Sequence, residues 1–172
     1  MRPLILLNLA VVLCGCAIGR KAHHDSIVEM RPGFSPWISM ERGPCYGFCA
    51  IYGLEIFKDG VVMFNGRGYV AKKGVHSGSI SRASIERLKR SIEESGVEGL
   101  KNDCCNCYDM SDAPSTTLTI SDGINSKTIK HYHGCLRAPK ALQQLEQTID
   151  ELSGDIQWIG TLDDREAHRW YR

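Results

Sequence analysis

Short stretches in which apolar and polar residues alternate predict the strands of this chain. The alternation marks residues 37–41, 51–58, 61–65 and 75–79, a further piece at 69–72, and then residues 116–121 and 127–133. Asp59-Gly60 and the segment 122–125 are typical of hairpin turns. The sequence therefore predicts two groups of antiparallel strands, separated by residues 80–115.

Two amphipathic helices are predicted, one after each group of strands. The first follows Ser81, a favourable N-cap residue, and ends at Gly96. The second begins near Pro139 and ends before Gly154. The positions expected to face the core are Ile85, Leu88 and Ile92 in the first helix, and Leu142, Leu145, Ile149 and Leu152 in the second.

The order of these elements, ββββ-α-ββ-α, is typical of an α+β fold. Because antiparallel hairpins usually keep one face in water, we expect one antiparallel sheet of five or six strands with both helices packed on one face. This single domain is expected to span residues 37–160, with Trp158 and Ile159 at the edge of its core and a polar tail at 161–172. Leu54, Ile56, Leu118 and Ile120 are expected to lie beneath the helices.

The first residues predict export and a lipid anchor. Arg2 precedes an apolar run at 4–13 that is too short to span a bilayer, and the run ends in Leu13-Cys14-Gly15-Cys16. This ending resembles the lipobox of bacterial lipoproteins. By that resemblance residues 1–15 are a signal peptide and Cys16 is the lipidated first residue. Residues 16–36 contain glycines and prolines and show little periodicity, so we expect a flexible tether there. An ordinary secretory signal with chance cysteines is the alternative. Ala17 follows Cys16. By resemblance to lipoprotein sorting in Gram-negative bacteria, this residue implies the outer membrane, with the domain facing the periplasm.

Composition excludes some partners. Hydrophobic residues make up 42% and charged residues 24%, as in ordinary globular proteins. The formal net charge is +1, and no basic stripe is present, which argues against nucleic-acid binding. The expected contact with the membrane is therefore the lipid anchor, whereas an envelope protein or the cell wall is the expected binding partner.

Export makes disulfides the first interpretation of the remaining cysteines. Cleavage removes one of the eight cysteines and lipidation uses another, which leaves six: Cys45, Cys49, Cys104, Cys105, Cys107 and Cys135. Gly47 permits a tight reversal between Cys45 and Cys49, so we expect these two to pair. Cys135 ends a strand and is expected to pair with a member of the 104–107 cluster, which would staple the long segment 97–115 to the sheet.

Metal binding is the alternative interpretation of the cysteines and histidines. On an extended strand His131, His133 and Cys135 would point to one face, and imidazole with thiolate suits zinc or copper. The competing interpretation places both histidines on a solvated face and Cys135 in a disulfide. A thiol-redox role for Cys45 and Cys49 is disfavoured because three residues separate them and no βαβ unit surrounds them.

Three features in order resemble a known family. Cys45-x-Gly47-x-Cys49-x-x-Tyr52 comes first, the hairpin around Asp59-Gly60 second, and Asp112-x-Pro114 third. Together they resemble the uncharacterised bacterial family called domain of unknown function six-four-three-eight, over residues 38–160. The chain has Ala50 where many members have proline. The resemblance implies a fold and an exported setting, but no activity.

The sequence favours a non-catalytic function. It contains no nucleophile elbow, no zinc-protease motif and no phosphate-binding loop. Asp109, Asp112 and His133 are the only loosely clustered groups for acid–base work, and Asp112 also suits a turn. We expect a disulfide-stabilised binding or structural module without a cofactor. The alternative is a periplasmic metal-binding or thiol-redox protein.

Overall fold

The computed structural model describes residues 35–102, 105, 107–153, 156–161 and 163. Cys16, the predicted signal peptide and most of the predicted tether lie outside these residues, as do Cys104 and most of the predicted tail. Within the described part of the chain, no helix is long and apolar enough to cross a membrane.

Six antiparallel strands form one sheet, which confirms the predicted α+β fold. In chain order they are β1 (Ile38–Arg42), β2 (Ile51–Ile56), β3 (Val61–Gly68), β4 (Gly74–Ser79), β5 (Ser115–Ser121) and β6 (Ser126–Tyr132). Their order across the sheet is β4-β3-β2-β1-β5-β6. The first strand therefore lies near the centre and joins the four-stranded group to the second hairpin.

Helices α1 (Arg82–Ser95) and α2 (Lys140–Ser153) lie on one face of this sheet, followed by the short helix α3 (Ile156–Ile159). The core between the helices and the sheet is apolar. It includes Ile38, Met40, Leu54, Ile56, Val62, Phe64, Leu118 and Ile129 from the strands, with Leu88, Leu142, Leu145 and Ile149 from the helices. Burial of these side chains supplies the main driving force for folding.

The predicted strand that comprises residues 69–72 and 75–79 is observed only in its second part. Residues 69–72 were expected to form strand, but Tyr69 has a left-handed backbone (φ 50°) and the chain turns there. The N–H groups of Ala71 and Lys72 then donate to the carbonyls of Ile159 and Trp158. This segment is therefore bound to α3 and not to the sheet. Only Gly74–Ser79 pairs with β3.

Burial on α1 is narrower than the sequence predicts. Leu88 is fully buried, whereas Ile85 and Ile92 are only partly buried at the margin of the core. The physical reason is that α1 packs beside α2, and an open groove that includes Trp37 and Ile92 runs along its other side. On α2 the expected apolar positions are buried or half-buried, but a charged residue, Glu146, is buried with them.

Candidate functional site

Four polar side chains form a row across the helix-facing side of the sheet. Arg42 at the end of β1 lies opposite Tyr52 of β2 and also opposite Thr116 of β5. Thr116 in turn lies opposite His131 of β6. Since every second residue of a strand shares a face, Arg42 follows Ile38 and Met40 toward the core. Strand register thus places the row Tyr52–Arg42–Thr116–His131 at one end of the sheet.

Helix α2 brings two carboxylates to this row. Glu146 and Asp150 are four residues apart and therefore lie on the same side of the helix. Glu146 Oε2 accepts a hydrogen bond from Arg42 Nη1 at 3.1 Å, and Asp150 Oδ2 accepts one from Arg42 Nη2 at 2.5 Å. Tyr52 donates its hydroxyl to the other oxygen of Asp150, at 2.6 Å. The row, the two carboxylates and His133 together are called the polar network, which comprises Arg42, Tyr52, Thr116, His131, His133, Glu146 and Asp150.

Arg42 is the centre of the polar network. Its Nη1 also donates to the Thr116 hydroxyl at 2.7 Å and contacts His133 Nε2 at 3.2 Å. Burial alone would lower the pKa of Arg42, but the charge of Asp150, with Tyr52 and Glu146, outweighs burial and raises it. Arg42 is therefore a permanent cation that is neutralised within the fold.

His133 is held neutral. Burial is the main reason that its pKa is lowered to about 4, with further lowering by His131 and Arg42 against the opposing effect of Glu146. The two hydrogens of Arg42 Nη1 are donated to Glu146 and Thr116, so its 3.2 Å approach to His133 Nε2 is a contact only. The Thr116 hydroxyl accepts from Arg42 and donates to His133 Nε2 at 2.7 Å, which assigns the ring proton to Nδ1. The ring of His133 stacks on that of His131, with centroids 4.2 Å apart.

His131 is fully buried against Glu146. Its Nδ1 donates to Glu146 Oε1 at 2.8 Å, and the two side chains are 0% and 2% exposed. Its Nε2 is buried and has no hydrogen-bond partner in the described part of the chain. The network thus sets the single guanidinium of Arg42 against the carboxylates of Glu146 and Asp150.

The structure separates the three residues of the metal set predicted from the sequence, His131, His133 and Cys135. The chain turns after β6, at His133 and Gly134, and the Cys135 sulfur is bonded to Cys107. The donor atoms of His131, His133 and Glu146 instead lie within 4.8 Å of one another. However, Arg42 Nη1 already lies between His133 Nε2 and Glu146 Oε2. A metal ion would therefore have to displace a buried guanidinium.

The first disulfide closes the loop beside the network. It joins Cys45 to Cys49, between Arg42 and Tyr52 in the chain. The loop is held to the start of β5 by the Gly43 N–H, which donates to Ser115 O, and to the segment before β5 by the Tyr46 N–H, which donates to Asp112 O. Asp112 has a left-handed backbone (φ 62°), which suits its turn. The two sequence motifs that contain Cys45 and Asp112 are thus neighbours in space.

A second disulfide joins Cys107 to Cys135 across a sequence separation of 28 residues. It staples the segment after α1 alongside β6, where Cys105 forms a parallel bridge with His131 and is itself fully buried. Cys104 lies outside the described residues. Disulfides, predicted from export and from the number of cysteines, are therefore present in the fold. In the turn beside Cys135, the Asp109 carboxylate accepts a hydrogen bond from the Leu136 N–H.

A pocket of about 230 Å³ opens at this end of the sheet, lined by Arg42, Cys49, Tyr52 and Ile159 among others. The histidines do not line it. The side chain of Arg42 is 15% exposed, and both of its terminal nitrogens are engaged by the network. The arrangement therefore presents no exposed nucleophile–base pair to this pocket.

Sequence reasoning singled out Tyr52 and both histidines but not Arg42, Glu146 or Asp150. For two of them, Arg42 and Glu146, the sequence pattern does indicate a core-facing position. Arg42 continues the inward alternation of Ile38 and Met40, and Glu146 lies next to Leu145 within the apolar stripe of α2. Charged residues are rarely buried unless they are paired. The two charged residues at core-facing positions, Arg42 and Glu146, therefore indicate an ion pair between them.

No match to the chain is found among curated proteins. A family model described as Domain of unknown function (DUF6438) matches residues 36–153. This range contains the whole sheet, both main helices, the polar network and both disulfides. The match confirms the resemblance inferred from the motifs around Cys45 and Asp112, and the chain belongs to this family.

Proposed function

We propose that this protein is a lipid-anchored domain of the bacterial cell envelope that binds a partner and catalyses no reaction. The observation that carries the non-catalytic part is that the charged groups of the polar network already engage one another. Arg42 donates to Glu146, Asp150 and Thr116. His133 Nε2 already accepts from the Thr116 hydroxyl. A general base must reach a substrate proton, and no such reach is left to these groups.

The anchoring part is supported by the sequence at its N-terminus. Leu13-Cys14-Gly15-Cys16 follows an apolar run in the way that lipoprotein signals end. Two disulfides in the domain agree with an oxidising compartment outside the cytoplasm. Two acyl chains would hold the protein firmly at a membrane without help from charge, which is close to zero after removal of Arg2.

Replacement of Cys16 tests the anchor. Cys16→Ala should abolish labelling by a clickable fatty-acid probe and release the protein from the membrane fraction. The matched control is Cys14→Ala, which changes a cysteine two residues away but keeps a small residue at that lipobox position. Labelling of Cys14→Ala should therefore equal that of the wild type. Unchanged labelling of the Cys16 variant would refute the anchor.

Metal binding is the competing function, because His131, His133 and Glu146 converge. Arg42 opposes it, since a dication beside a buried guanidinium is repelled. We expect the full chain, purified without chelator and then exposed to zinc or copper, to retain substoichiometric metal. Stoichiometric zinc that disappears in His133→Ala would favour the metal function over the binding one.

A further inference from the structure

The two edges of the sheet differ. The β6 edge is covered, because Lys130 N–H donates to Asn102 O and Tyr132 N–H donates to Cys105 O. The disulfide from Cys107 to Cys135 fixes that cover in place. At the other edge, no strand within the described part of the chain pairs with the outer side of β4. An open edge of this kind is a template for another extended chain.

The hydrogen-bond pattern between β3 and β4 shows which backbone N–H and C=O groups of β4 point to the open side. Ile80 N–H donates to Gly60 O, and the same register continues along the pair, with Gly78 opposite Val62. Because bonded and non-bonded pairs alternate in an antiparallel ladder, His76 and Gly78 bond to β3. Ser77 and Ser79 then direct their N–H and C=O groups to the open side. Both of these serines are exposed.

The usual devices that protect an edge are missing from β4. The strand Gly74–Ser79 contains no proline, lysine or other permanently charged residue, and its register with β3 continues without a bulge. Natural proteins ordinarily block open edges with such features. Its side chains are small except for Val75 and His76, so an incoming backbone can approach closely. The composition is therefore that of a docking strand.

The charges at the two ends of β4 select the occupant. Exposed Lys72 precedes the strand, and exposed Arg82 follows it in the first turn of α1, which contains no acidic residue. An antiparallel second copy centred on Ser77 would place Lys72 opposite Arg82 of the other copy, which is repulsive. A peptide with acidic residues flanking a neutral extended core meets complementary charge at both ends.

We propose that β4 is the docking edge for an extended, acidic-flanked segment of a partner protein, which adds to the sheet as a seventh strand. This inference rests on the proposed binding function and names its surface and partner class. Backbone hydrogen bonds to Ser77 and Ser79 supply affinity, and Lys72 and Arg82 supply the charge selectivity, as in other cases of β-strand addition.

The test uses synthetic peptides and the full chain, exported to an oxidising compartment and purified in detergent. The probe is a fluorescent peptide with a core of alternating threonine and valine flanked by two aspartates on each side. A second peptide carries lysines in place of the aspartates. Fluorescence anisotropy should show the acidic peptide binding at least about tenfold more tightly, with a preference that declines as salt is raised.

Ser77→Pro removes the outward N–H of β4, at a position where an edge strand tolerates proline. It should weaken binding of the acidic peptide about tenfold, because one hydrogen bond to the peptide is lost and the strand pairing next to it is disturbed. Ser77→Ala is the matched control, because it changes the side chain but keeps the N–H group, and it should bind within about twofold of the wild type. If Ser77→Pro does not fold, an acidic peptide N-methylated on its edge-facing amides replaces it and should not bind.

Three results would overturn the inference: no binding of the acidic peptide, equal binding of both peptides, or equal binding by Ser77→Pro and Ser77→Ala. Self-association through β4, detected as a concentration-dependent dimer that Ser77→Pro dissociates, would also overturn it. These failures leave the fatty-acid labelling of Cys16 unaffected, so they are distinguishable from a failure of the anchor. Loss of labelling, in turn, does not alter peptide binding in detergent.

Discussion

Replacement of Arg42 by methionine should destabilise the fold strongly, because it leaves two carboxylates without their cation. Glu146 is 2% exposed and would retain its hydrogen bond from His131 and the 3.4 Å approach of His133 Nε2. Asp150 is 25% exposed and would retain the Tyr52 hydroxyl and some water. Breaking a buried ion pair by removal of one partner typically costs about 3–5 kcal/mol. The partial exposure of Asp150 places the expected loss near the lower end, about 3 kcal/mol.

Urea unfolding of the oxidised protein, followed by tryptophan fluorescence, measures this loss. With a denaturant dependence of about 2 kcal/mol per molar urea, a loss of about 3 kcal/mol lowers the midpoint by about 1.5 M. The double variant Arg42→Met with Glu146→Met should recover part of the loss, because an apolar pair replaces an unpaired buried charge. That recovery separates the electrostatic explanation from simple misfit of the methionine.

Arg67→Met is the matched control on the opposite face of the same sheet. Arg67 pairs with Glu41, but the two side chains are 37% and 52% exposed. Exposed ion pairs contribute about 0–1 kcal/mol, so this variant should shift the midpoint by less than about 0.5 M. Equal losses from Arg42→Met and Arg67→Met would refute the view that Arg42 neutralises a buried network.

Two further predictions concern pH and the disulfides. Because burial lowers the pKa of His133 from 6.5 to about 4, the unfolded chain binds an extra proton between these values. Stability should therefore fall as the pH drops through this window, and His133→Asn should flatten that part of a urea-unfolding profile; an identical slope in the variant contradicts the neutral assignment. Replacement of both Cys107 and Cys135 by alanine should lower the free energy of unfolding by about 3.6 kcal/mol, because this disulfide spans 28 residues. Replacement of both Cys45 and Cys49 should lower it by about 2 kcal/mol, because that disulfide spans 4 residues. Equal losses would contradict this loop-entropy explanation.

Local signals in the sequence predicted much of the fold because the structure obeys them. Ser81 caps α1 by accepting from Ser84 N–H, and Gly96 ends the helix with a left-handed backbone (φ 62°). The turn at Asp59-Gly60 joins β2 to β3 as its residue types indicate. In these places one short stretch contains both the donor and the acceptor of the bond that fixes it.

Long-range arrangements were not predictable in the same way. Residues 69–72 have the pattern of a strand. The N–H groups of Ala71 and Lys72 instead donate to carbonyls of α3, more than eighty residues later in the chain. The site depends on register: Arg42 meets Thr116 and Glu146 only because β1 pairs with β5 and α2 crosses above them. The pattern of a single strand fixes which face a residue takes, but not which strand lies beside it.

The intact mass of the full chain, made in a Gram-negative host and extracted from membranes, tests the central claim most directly. The account predicts a chain that begins at Cys16 and carries added acyl mass. It also predicts a mass lower by at least four hydrogens, from the disulfides Cys45–Cys49 and Cys107–Cys135. A chain that begins at another residue without lipid, or one whose thiols are all reduced, would contradict it.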